Sequence, residues 1–101
     1  MNRMIVQFAI GNDTDFDELI NIEDALGLAL LPDRSAVVGG HDIGEGRFNI
    51  YIHPQRGWEP VLEHVIEALK GLDRLDDAIV ARETDAFEVV WPKGYVGKFA
   101  L

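Results

Sequence analysis

The stretch Val37-Val38-Gly39-Gly40-His41-Asp42-Ile43-Gly44-Glu45-Gly46-Arg47-Phe48-Asn49-Ile50-Tyr51-Ile52-His53 decides the fold. Its two halves are strand-like runs, and the glycines between them supply a turn. The spacing predicts strands over residues 35–42 and 47–53, joined as a hairpin by a glycine-rich loop longer than two residues. In the second strand Phe48, Ile50 and Ile52 face one way, and Asn49, Tyr51 and His53 the other. One apolar and one polar face mark a sheet covered on one side only.

Working outward, residues 3–10 alternate, with Met4, Val6, Phe8 and Ile10 on one side, and read as a strand. Gly11-Asn12-Asp13 is a turn. A helix follows over residues 14–28, capped by Asp13 or Thr14, whose side-chain oxygen can accept an orphan backbone N–H. Asp15, Asp17 and Glu18 fall in its first turns, where the helix dipole favours negative charge. Phe16, Leu19, Ile20 and Leu26 form its apolar stripe, Gly27 weakens its end, and Pro32-Asp33 marks the next turn.

Downstream, Pro54-Gln55-Arg56-Gly57 breaks the hairpin's second strand. A second helix is expected over residues 59–70. Pro60 would sit at its first position, Val61, Leu62, Val65, Ile66 and Leu69 would face inward, and Gly71 would stop it. Two more strands, 78–82 and 86–91, flank a turn at Glu83-Thr84-Asp85. The tail, residues 92–101, holds Tyr95, Val96, Phe99 and Leu101 and no acid, so it should pack back on the domain. The order is strand, helix, strand, strand, helix, strand, with an extra C-terminal strand. Two helices with single apolar stripes need one sheet face to cover. The expectation is a single α+β domain over residues 1–101. Its form would be a two-layer ferredoxin-like sandwich, an antiparallel sheet with both helices on one face.

Composition narrows the function. Eighteen acids against nine Lys and Arg give a net charge of -9, which repels nucleic acid and anionic membrane and suits a basic protein partner. With no cysteine, disulfides and thiolate chemistry are excluded. No run of about 18 apolar residues is present and the N-terminus lacks a signal-peptide pattern, so cytoplasmic residence is expected. Asp13-x-Asp15-x-Asp17 has the start of a calcium loop, but Glu18 stands where glycine is needed and Asp24 where a bidentate glutamate is needed. N-capping accounts for these acids better. The three histidines are too far apart for a zinc site, so no metal and no cofactor is expected.

Two candidate surfaces remain. One is the acidic run Asp13, Asp15, Asp17 and Glu18. The other is a polar cluster at the hairpin, His41, Asp42, Asn49 and Tyr51, with His53 further along the strand. If the turn centres on Glu45, His41 faces Asn49, and His41 could carry a proton or donate to a bound ligand. Gln7, Arg82 and Glu88 could extend the same polar face.

The segment Gly40-His41-Asp42-Ile43-Gly44-x-Gly46-x-x-Asn49-Ile50-x-Ile52 resembles a hairpin pattern of small uncharacterised bacterial proteins, to which no activity attaches. In size and charge the chain is also similar to immunity proteins of bacterial toxin systems. The leading expectation is a non-enzymatic module that binds a basic protein, with toxin neutralisation as one specific form. The alternative is a small-ligand or catalytic site around His41. A homodimer made by sheet edges or faces is compatible with either.

Overall fold

Seven elements follow one another: β1 (Arg3–Ala9), α1 (Phe16–Leu30), β2 (Ala36–Gly44), β3 (Arg47–Pro54), α2 (Trp58–Gly71), β4 (Ile79–Glu83) and β5 (Phe87–Trp91). They are seen in a computed structural model that describes residues 2–32 and 34–101. Asp33, half of the expected Pro32-Asp33 turn, lies outside the described residues. The protein is α+β, with one open five-stranded sheet in the order β2-β3-β1-β4-β5 and every neighbouring pair antiparallel.

The β2–β3 hairpin corrects the expected loop. It closes in two residues, Glu45 and Gly46, with φ of 45° and 78°. Two consecutive positive φ values give the turn whose twist matches that of the flanking strands. Gly46 takes such a φ without strain. Glu45 is unusual there, which is why the turn was not evident from residue type. The centre therefore falls between Glu45 and Gly46, so Asp42 faces Asn49 and His41 faces Ile50. A half-residue shift of the turn centre is a one-residue shift in register, and such a shift moves a side chain to the opposite face.

Met4, Val6 and Phe8 of β1, Phe48, Ile50 and Ile52 of β3 and Val80 of β4 form one buried face. Leu19, Ile22, Leu26 and Leu30 of α1 and Val61, Val65 and Leu69 of α2 pack onto it. The core is thus a single layer between sheet and helices. α1 runs two residues beyond the expected end because Leu30 is buried, which outweighs the low helix propensity of Gly27. Its cap is Asp15, whose Oδ1 accepts from the backbone N–H of Asp17 and Glu18. Thr14 instead closes the preceding turn, its Oγ1 accepting from Gly11 N–H at 2.7 Å.

α2 begins one residue early, at Trp58, and its cap position is Gly57, which supplies no side-chain oxygen. Pro60 is third in the helix, where its missing N–H is still an orphan position. Gly71 is the last helical residue, not the stop. The helix ends through Asp73 at φ 58°, with Asp73 N–H donating to Lys70 O and Arg74 N–H to Leu69 O. This paired closure satisfies carbonyls of the last turn.

The opposite face of the sheet carries the tail. Gln7 Nε2 donates to Ala100 O at 2.8 Å, and the Phe99 ring lies against Phe87 with centroids 5.3 Å apart. Ile5 and Ala81 are buried on this face, so it is not the open polar surface expected. Arg82 pairs with Met4 and Glu88 with Arg82, so both belong to the helix side, away from Asn49. Arg82 lies over the Trp58 ring at 4.6 Å, and Trp91 Nε1 donates to Leu75 O at 3.1 Å, so both tryptophans have partners within the domain. No helix among the described residues is long and apolar enough to cross a membrane.

Candidate functional site

The hairpin register divides the polar cluster. Asp42, Asn49 and Tyr51 share the tail side of the sheet, where they form a continuous chain with Gln7. Gln7 Nε2 donates to Asn49 Oδ1 at 2.9 Å, Asn49 Nδ2 to Asp42 Oδ1 at 3.0 Å, and Tyr51 Oη to Asp42 Oδ2 at 2.6 Å. The Arg3 guanidinium sits 4.2 Å from the Tyr51 ring centroid and its Nε donates to Glu83 Oε1. Every oxygen of the Asp42 carboxylate thus has a donor from within the fold.

The charges respond to this arrangement. The Tyr51 hydroxyl, and then the Asn49 amide, hold the Asp42 carboxyl below its ordinary value. Burial, reinforced by the hydrogen bond to Asp42, pushes the Tyr51 phenol up to about 12. A tyrosine in this state keeps its proton near neutrality, and the chain ties strands β1, β2 and β3 to the tail.

His41 lies on the other face. Its ring stacks on Phe48, with centroids 4.8 Å apart, and its Nδ1–H donates to Glu23 Oε1 of α1 at 2.8 Å. It links the edge strand to the first helix and does not join Asp42. His53 pairs with Val37 and covers Gly39 so closely that a Cβ there would come within 2.5 Å of its Nε2. Of the five hairpin residues singled out in the sequence, three come together and two histidines go elsewhere.

The acidic run acquires a neighbour that was not read from the sequence. The loop after α2, Asp73-Arg74-Leu75-Asp76-Asp77, returns beside the start of α1. A cleft of about 400 Å³ opens there, with Asp13, Thr14, Asp15, Glu18, Arg74 and Asp77 around apolar Phe8, Leu19 and Ile22. Arg74 is the one cation lining it among the described residues, and it pairs with Glu18 and with Asp77. Asp17 takes no part in the lining. Clustered acids in the segment 73–77 were visible in the chain, but their meeting with residues 13–18 depends on how α2 packs against α1.

The same asymmetry extends over the helical layer. α1 carries Asp17, Glu18, Glu23 and Asp24 and no Lys or Arg, and α2 carries Glu59, Glu63 and Glu67 against Lys70. No known protein family, curated protein or solved structure matches the chain.

Proposed function

We propose that this protein is a non-enzymatic interaction module whose helical layer binds a basic protein partner. The observation that carries the reading is the cleft between the start of α1 and the loop after α2, where Asp13, Asp15, Glu18 and Asp77 surround an apolar floor with Arg74 the one opposing cation among the described residues. Such a cleft suits a Lys or Arg side chain, whose aliphatic stem lies on Phe8, Leu19 and Ile22 while its head reaches the carboxylates. Arg74 is held by Glu18 and Asp77, so an incoming cation competes with it. The surrounding negative field raises the rate of encounter with a basic surface.

The inner strand order β2-β3-β1-β4 supports reading the frame as a ferredoxin-like sandwich, with β5 as an addition at the edge. In this reading the protein acts in the cytoplasm and neutralises its partner by occupying its basic surface, as an immunity protein does. A small-ligand site at the hairpin has less support, because Asp42, Asn49 and Tyr51 already satisfy one another and His41 faces α1.

The test is retention of partners from a source-cell lysate at low and high salt by the wild type and by the triple variant Asp15→Asn, Asp17→Asn, Glu18→Gln. Asparagine preserves the helix cap, so folding is retained. The expected result is a basic protein held at low salt, released at high salt and lost by the variant. Equal retention by the variant overturns the reading.

A further inference from the structure

A second groove lies further along α1, between that helix and the free edge strand β2. It is lined by Glu23, Asp24, Gly27, Leu28, Leu31, Val38 and Gly40 and has a volume of about 610 Å³. Leu28 and Leu31 are 70% and 65% exposed, at one-turn spacing. Two large apolar side chains left open beside a groove mark an interaction surface more than scattered exposure does. The groove exists because its walls are small at the contact, with Gly27 on the helix facing Val38 on the strand.

Charge identifies the occupant. Asp24 is the exposed acid of the rim, beside Glu23, whose carboxylate already accepts from His41, and no Lys or Arg among the described residues lines the groove. The last turn of α1 holds no basic residue, so no side chain within the helix offsets the negative end of its dipole. A second copy of this chain would set one acidic rim against another across a two-fold axis, on molecules that each carry -9. An added β-strand fits poorly, because the register of β2 shifts between Val38 and His41 and Gly40 has φ 104°, which interrupts the edge. What fits is a helix that docks through its side chains, with an apolar stripe over Leu28 and Leu31 and a cation toward Asp24.

We infer that the α1–β2 groove seats an amphipathic basic helix of a protein partner. This rests on the proposed binding of a basic partner and adds the shape of the recognised segment. Residues of the two surfaces lie on one helix, so a single partner can engage the acidic start of α1 and its apolar end together.

The probe is a synthetic Leu/Lys peptide with leucines at i, i+3, i+4 and i+7 spacing, set against a permuted peptide of equal composition. Affinity at low salt is measured by calorimetry for the wild type, for Leu28→Ser/Leu31→Ser and for the triple acid variant. Both leucines are exposed, so the double variant should fold. The wild type is expected to bind the striped peptide roughly tenfold tighter than the permuted one. Leu28→Ser/Leu31→Ser should abolish that preference while leaving the permuted peptide unaffected. Equal affinity for the two peptides, or a preference that survives in the double variant, overturns the groove assignment. The acidic-surface reading then stands if the triple variant still weakens both peptides. Absence of binding by either peptide overturns both readings. A wild-type dimer in sedimentation that the leucine variant dissociates makes the occupant a second copy and overturns the inference too.

Discussion

At the scale of single residues, three positions on the tail side of the sheet give sharp tests. A Cβ on Gly39 would stand 2.5 Å from Nε2 and 2.6 Å from Cδ2 of His53, so the imidazole must swing aside to admit it. Gly39→Ala should cost about 1 kcal/mol, the price of an off-rotamer ring. In a His53→Ala background the same change should cost only a few tenths, read from urea midpoints in a double-mutant cycle. Tyr51 gives a pH test. Its native pKa is raised from 10.0 to about 12, so the folded state keeps its proton longer than the unfolded one. Stability from this source is complete below about pH 10 and falls as pH rises through 12. Tyr51→Phe should lack that alkaline loss in denaturation followed across this range. Asp42 acts oppositely: its lowered pKa adds stability above 3.8 that fades as pH falls below that value. Asp42→Asn should flatten the acid limb.

At the scale of elements, the helix ends carry the predictions. Asp15 serves two backbone N–H groups of α1, so Asp15→Ala should lose about 1 kcal/mol and Asp15→Asn little. α2 has no such cap. Gly57 has an extended backbone, and a Cβ there would meet Pro60 Cδ at an ordinary 3.7 Å. Gly57→Ser should therefore stabilise the protein by about 0.5–1 kcal/mol. At the other end of α2, Asp73 occupies a left-handed conformation that glycine adopts more easily. Asp73→Gly should add about 0.5–1 kcal/mol. Thermal melts of the four variants check these signs together. The helices themselves were legible in the sequence, because apolar spacing over many residues survives small errors at the ends. The caps were not, since Asp13, Thr14 and Asp15 are all competent and only the path of the turn selects one.

At the scale of the whole molecule, charge is segregated. Acids from two distant segments, 13–18 and 73–77, meet at one end of the helical layer with Arg74 between Glu18 and Asp77. Removing that cation leaves like charges facing one another. Arg74→Gln should destabilise by roughly 0.5–1 kcal/mol at low salt, a small effect because the groups are partly solvated. Added salt should recover most of it, which salt-dependent unfolding of the pair would show. The tail is the other large-scale device. Its hydrogen bond from Gln7 to Ala100 and its Phe99 contact with Phe87 close a face that alternation alone suggested was open.

The sequence by itself determined the number, type and order of the elements, the inward positions Val61, Val65 and Leu69 of α2 and the excess of acid over base. These are local or summed properties, and hydrophobic periodicity reports them directly. Of the stripe expected on α1, Leu19 and Leu26 are buried, while Phe16 is exposed and Ile22 and Leu30 take its place. Only the tertiary structure decided which polar residues meet. The hairpin turn centre depends on two φ angles at Glu45 and Gly46, and that choice sent His41 toward α1 and left Asp42 with Asn49 and Tyr51. The acidic cleft likewise required the loop after α2 to return beside α1, a contact between residues more than 50 positions apart. Side-chain facing has a period of two in a strand, so a one-residue difference in register that barely alters the local sequence signal reverses the assembly of a site.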